Sequence, residues 1–473
     1  MLTVLSDPQF KGDNMNVLNP MRPSVQNHNF SKVPHADIPR SVFRRPFSHK
    51  TTFDSGYLVP IYVDEVLPGD SFNVKMTSLA RLATPIVPFM DNLKIDYHFF
   101  FVPNRLIWDN FQKFMGEQDN PGDSTDYLVP QIPAPAGGFP VGCICDYMGI
   151  PTGITGFSVN NLHGRAYNLI YNEWYRDQNL QDSITVDTDD GPDTPADYVI
   201  RKRGKRKDYF TSCLPWPQKG DAVDLPLGTQ APVNYDGADN TIVGVYSTVD
   251  SGLRGMDTAG NPGDPVRLAL EETAGAGLYA DLTDATAATI SDLREAFQMQ
   301  RLLERDARGG TRYTEILLSH FRVTSPDQRL QRPEFLGGGT SNVVINPVPQ
   351  TSSTDGTTAQ GNLAAIGTMI NSDIGFTKSF VEHGVIIGIA SCRADLTYQQ
   401  GLNRMWSRRT RYDYYWPSLA HLSEQAVLSK ELYLDATSND DDVFGYIPRW
   451  DEYRYKPSLI TGKMRSSDPQ SLD

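Results

Sequence analysis

The chain has 473 residues, with 43 Lys+Arg against 57 Asp+Glu and a formal net charge of −14. That balance excludes a protein whose whole surface binds nucleic acid and leaves room only for local basic patches. With 39% hydrophobic residues the chain can bury a core, so global disorder is excluded too.

Residues 1–55 read as an extended arm. Pro8, Pro20, Pro23, Pro34, Pro39 and Pro46 punctuate it, and between Arg22 and Lys50 the cations Arg22, Lys32, Arg40, Arg44, Arg45 and Lys50 face Asp37 alone. Such a segment cannot pay for its own ordering and must lie along something else. Its opening, MLTVLSDPQFKGD, lacks a basic stretch followed by an apolar one, so no cleaved signal is expected.

The body opens with strand patterns. Gly56–Leu67 closes on the turn Pro68-Gly69-Asp70, Ser71–Ala80 alternates apolar and polar residues, and the aromatic-rich Lys94–Val102 ends at Pro103. Helices are expected over Asn104–Met115, Asn160–Arg176, Ser291–Arg308 and Tyr313–Phe321. For Ser291–Arg308, Thr289 with Asp292 offers a capping box and Gly309-Gly310 a stop. Strands return at Asn342–Ile345, Gly384–Ser391 and Val443–Ile447, whereas Gly337-Gly338-Gly339 reads as a hairpin or loop. Strands early and late with helices between them argue against a parallel α/β sheet. A mainly β, antiparallel sandwich with long helical loops fits better. The longest apolar runs, such as Val385–Ala390, fall far short of the roughly 18 residues of a membrane span, so no membrane insertion is expected.

From Asp221 to Asp284 eleven acidic residues face only Arg254 and Arg267, and Gly, Ala, Thr and Asp dominate. Residues 221–288 therefore read as a solvent-facing acidic insertion. The body is then 56–220 with 289–473.

Catalytic signatures are missing. There is no G-x-S-x-G, P-loop, G-x-G-x-x-G or H-E-x-x-H. Neither the histidines (His98, His163, His320, His383 and His421 among them) nor Cys143, Cys145, Cys213 and Cys392 show metal-ligand or disulfide-framework spacing. No cofactor and no metal are expected. Asp189-Asp190 and Asp440–Asp442 offer the paired carboxylates of a β-sandwich carbohydrate-active enzyme, the alternative reading, but their Gly/Thr/Ser-rich settings suit solvated loops.

Two cationic stretches stand out. Arg201–Lys207 (RKRGKRK) contains Lys202, Arg203, Lys205, Arg206 and Lys207. It suits phosphate contact, or a solvated hairpin tip turning at Gly204 and neutralised by the acidic residues just upstream. In Gly401–Pro417 and Tyr446–Pro457 cations alternate with aromatics: Arg404, Trp406, Arg408, Arg409, Tyr412, Tyr414 and Trp416, then Trp450, Tyr453 and Tyr455. Such pairs stack on bases or build protein interfaces. In a chain this acidic, subunit contact is the better reading.

FSHKTTFDSGYLVPIYVDEVLPGD (Phe47–Asp70), YQQGLNRMWSRRTRYDYYWP (Tyr398–Pro417) and YIPRWDEYRYKPSLITG (Tyr446–Gly462) closely resemble the major capsid protein of the Microviridae, in particular its gokushovirus branch. The resemblance implies an eight-stranded viral jelly roll and a T=1 icosahedral shell of identical subunits around a circular single-stranded DNA genome. It implies a small basic DNA-binding virion protein and other minor or pilot virion proteins as partners. It also implies a threefold protrusion built by the insertion and used on a host surface receptor. The protein would then be found in the virion, and in the host cytoplasm during assembly.

Overall fold

The computed structural model describes residues 40–85, 91–221, 223, 290–420, 422, 424–469 and 471, with the backbone of five short strands between 233 and 280. The chain divides into two units, 1–48 and 49–473. In the first, the described residues 40–48 are exposed and carry no regular secondary structure.

The second unit holds sixteen strands among its described residues. They are β1 (Val59–Val66), β2 (Ser71–Arg81), β3 (Leu93–Pro103), β4 (Gln131–Pro133), β5 (Ser158–Asn160), β6 (Val233–Tyr235), β7 (Gly244–Ser247), β8 (Gly252–Gly255), β9 (Val266–Leu268), β10 (Leu278–Ala280), β11 (Glu334–Asn342), β12 (Val344–Pro349), β13 (Leu363–Ser379), β14 (Gly384–Ala394), β15 (Glu424–Leu428) and β16 (Val443–Pro448). The helices are α1 (Phe111–Phe114), α2 (Ile144–Tyr147), α3 (Leu162–Ile170), α4 (Ile290–Gly309), α5 (Tyr313–Ile316) and α6 (Ser429–Leu432).

The body is an antiparallel β-sandwich. One sheet has the order β1-β14-β3-β11, the other β12-β13-β2. The three expected strands at 56–67, 94–102 and 384–391 are thus neighbours in one sheet, with Val63 opposite Ile387 and Ile387 opposite Phe100. The facing sheets contain four and three strands, against the eight expected of the jelly roll.

β14 lies at the centre. Side chains alternate across a strand, and both faces of β14 are covered. Ile386 and Ala390 meet Phe99, Phe101, Met369, Ile374 and Phe376 between the sheets. Val385, Ile387 and Ile389 pack with Phe100, Leu162, Ala166, Tyr167 and Ile170 on the outer face, beneath α3. Burial on both faces explains why Val385–Ala390 is continuously apolar instead of alternating.

Several expected elements are corrected. Gly337–Gly339 belong to β11, paired with Phe99, His98 and Tyr97. Strand packing explains the glycines: a Cβ at Gly337 would sit 2.9 Å from the Gly375 carbonyl oxygen across the sandwich. The helix expected over Asn104–Met115 is broken into a 3₁₀ turn (Asn104–Leu106) and α1. Between them Trp108 is fully buried and its indole N–H donates to Asp190 at 2.7 Å, which holds the chain out of helical register. The expected Asn160–Arg176 helix is α3 followed by a π turn over Tyr171–Tyr175. The expected Ser291–Arg308 helix is α4, with Gly310 at φ +95° after its end; Thr289 lies outside the described residues. Cys143 caps α2, its sulfur accepting from the Asp146 N–H.

Candidate nucleic-acid interface

The run Arg201–Lys207 is not a free hairpin tip. Its backbone lies along residues 56–58: the Leu58 N–H donates to the Arg201 carbonyl at 2.9 Å, and the Arg203 N–H to that of Gly56 at 2.7 Å. Anchored there, the run aims its arginines at Asp96 on β3. Arg203 Nη1 reaches the Asp96 carboxylate at 2.7 Å, Arg393 Nη2 from β14 at 3.0 Å and Arg206 Nη2 at 3.4 Å, while Thr340 Oγ1 donates at 2.6 Å. Burial alone would raise the Asp96 carboxyl. The hydrogen bonds from Thr340 and Arg393 and the charges of Arg203 and Arg206 outweigh it and hold the group below the ordinary carboxylate range. Asp395 takes Arg206 Nε at 3.3 Å and Lys94 at 3.0 Å.

A cavity of about 670 Å³ opens beside this cluster. Lys205, Arg206, Lys207, Arg393 and Lys456 line it against Asp208 and Asp395, with Tyr209 and Tyr455 among the remaining walls. Lys207 is tied to Asp177 at 2.6 Å, and Lys202 stacks over Tyr57 at 5.5 Å. Lys205 is exposed and has no acidic partner among the described residues. The cavity therefore concentrates positive charge beside the exposed ring of Tyr455, a pairing suited to a phosphate and a flat base.

The other sequence candidates fall elsewhere. Arg22 and Lys32 lie outside the described residues; Arg40, Arg44 and Arg45 are exposed. The C-terminal aromatic stretches form a second surface. Arg408 lies between the rings of Tyr453 (4.5 Å) and Tyr414 (5.6 Å) and binds Glu452 at 3.1 Å. Arg411 covers Trp416 at 4.6 Å. Trp450 is buried against Tyr415 and Tyr453, so it props this surface from beneath. Arg404 turns inward to the Ala426 carbonyl. Trp406, Tyr412, Tyr414, Tyr453 and Tyr455 are each more than half exposed, and Arg409 is exposed too. Sequence reasoning missed Asp96 and Arg393, which meet only through strand pairing, and Lys456, which lies in the irregular segment after Tyr453.

The paired carboxylates do not form a hydrolytic site. Asp190 accepts from Trp108 and Asn110, Asp189 faces the buried Arg165, and Asp441 takes Lys430. Among the described residues no group of His, Cys, Asp and Glu is placed to hold a metal ion, and no helix is long and apolar enough to cross a membrane.

Residues 31–473 match the family described as capsid protein (F protein). This chain is a member of that family. It is 51% identical to the capsid protein VP1 of Bdellovibrio phage phiMH2K, over 94% of this chain and 86% of the relative. Against the capsid protein VP1 of Chlamydia phage 1 the identity is 42%, covering 95% and 88%, and against that of Spiroplasma virus 4 it is 40%, covering 94% and 86%. The capsid family is a structural one, so the chain is a virion building block and not an enzyme, and the carbohydrate-active alternative falls away.

Proposed function

We propose that this capsid protein assembles into a T=1 icosahedral shell around a circular single-stranded DNA genome, with the cavity beside Asp96 facing the DNA. The observation that carries the DNA-facing role is the convergence of Lys205, Arg206, Lys207, Arg393 and Lys456 on one open cavity in a chain of net charge −14. Clustered cations release counterions from phosphates, and a wholly acidic inner wall would repel the genome. The arm cations Arg22, Lys32, Arg40, Arg44 and Arg45 supply further phosphate contacts. The exposed aromatics of 404–416 and 450–455 supply contacts between subunits. The acidic insertion 221–288 faces outward and meets a host surface receptor. A small basic DNA-binding protein and minor or pilot proteins complete the virion, which is assembled in the host cytoplasm.

Lys205→Gln combined with Lys456→Gln tests the DNA-facing role. Particles should still form but lose DNA more readily as salt rises, because fewer phosphate contacts remain to resist screening. DNA content unchanged at every salt concentration would remove the cavity from the genome interface.

A further inference from the structure

The C-terminal half of α4 is tied to the hairpin β15–β16 by a cluster of buried carboxylates short of positive charge. Arg308 Nε, on the last turn of α4, donates to Glu424 Oε1 at 2.5 Å, and Arg308 Nη2 lies 3.7 Å from Glu304. The Glu424 side chain is fully buried, that of Glu304 only 10% exposed, and Arg308 is 45% exposed. Glu424 Oε2 is buried with no hydrogen-bond partner among the described residues. Asp451, just after β16, feels both Arg308 and Glu424 and has its own ion pair with the largely exposed Arg454 at 3.0 Å. Glu452 beside it is matched by Arg408 and by a hydrogen bond from Gln425. Glu304, Glu424 and Asp451 therefore place three negative charges against Arg308 and Arg454.

We propose that this cluster is a proton-operated latch: with one proton on the unpartnered Glu424 oxygen the end of α4 is held on β15, and without it the two elements loosen. A buried carboxylate with no partner for one oxygen is costly as an anion, and a proton on it removes the surplus charge. Burial, with Glu304 and Asp451 nearby, raises the Glu424 carboxyl despite Arg308. Burial and Glu452 likewise raise Asp451. For a carboxyl raised in the fold, the stabilising proton is fully held below the ordinary value of 4.5 and lost as pH climbs through the folded value. The latch thus closes on the acid side and opens on the alkaline side.

Hydrogen–deuterium exchange on the full-length protein tests this. Peptides covering 303–309 and 424–428 should lose protection on going from pH 4.5, the carboxyl's ordinary value, to alkaline pH, after correction for intrinsic rates. Glu424→Gln should keep both peptides protected at both pH values. Equal protection of the wild type at the two pH values, or an undiminished pH effect in Glu424→Gln, overturns the latch. If Glu424→Gln does not fold, Asp451→Asn decides. Removing one carboxylate charge should reduce the pH effect, and an undiminished effect overturns the proposal.

Discussion

Asp96 is the single anion on which Arg203, Arg206 and Arg393 converge, and it is only 4% exposed. Removing one partner of a buried ion pair leaves uncompensated charge at a cost of about 3–5 kcal/mol. Asp96→Ala should therefore lower stability by an amount of that order in a denaturant titration, as the intact chain, through loss of the edge where β3, β14 and residue 203 meet. Next to it on β3, His98 accepts or donates a 2.8 Å hydrogen bond with the Tyr175 hydroxyl. Burial first, then the positive charges of Arg203 and Arg393, push the imidazole from 6.5 down to about 4. The fold thus favours the neutral ring. Its contribution is complete above the ordinary value of 6.5 and is lost as pH falls through about 4. His98→Gln should flatten the stability loss between about pH 6.5 and about pH 4; an unchanged acid slope would mean that His98 does not drive it. These partnerships were not legible in the sequence. The run RKRGKRK announced the charge, but Asp96 lies 107 residues from Arg203 and 297 from Arg393, and only strand pairing brings them together.

The central strands were legible because β-branched and aromatic runs bounded by Pro and Gly mark them whatever they pair with. β13 was not. Gly367, Asn371 and Gly375 interrupt its apolar pattern, and its register with β2 shifts between Asn371 and Ile374, so the alternation breaks midway. α4 declared itself by the signals that bound it, Gly309-Gly310 at its end among them, whereas the break after Leu106 depends on a distant carboxylate, Asp190. Since β14 is buried on both faces, Ile387→Ala should cost about 2–5 kcal/mol by leaving a cavity beneath α3, measurable by denaturant unfolding. An effect below about 1 kcal/mol would mean that the outer layer collapses onto the sheet. The arm is the opposite kind of element. Replacing Arg40, Arg44 and Arg45 by Ala should leave the sandwich's unfolding midpoint unchanged and reduce genome retention, more at high salt than at low.

For the whole molecule, the sandwich, the basic cavity and the exposed aromatic surface place different demands on one chain. The three long motifs at Phe47–Asp70, Tyr398–Pro417 and Tyr446–Gly462 made the family legible, and the match over residues 31–473 with relatives 40–51% identical bears it out. Replacing 221–288 with a short Gly/Ser linker should spare shell formation and abolish host attachment, because the segment's eleven carboxylates disfavour burial in a core. A folded subunit that no longer assembles would make the segment an assembly element instead. Electron microscopy of the purified full-length protein tests the central claim most directly. Closed isometric shells of one size are the expected result, and a folded protein that remains as discrete monomers under every assembly condition would contradict it.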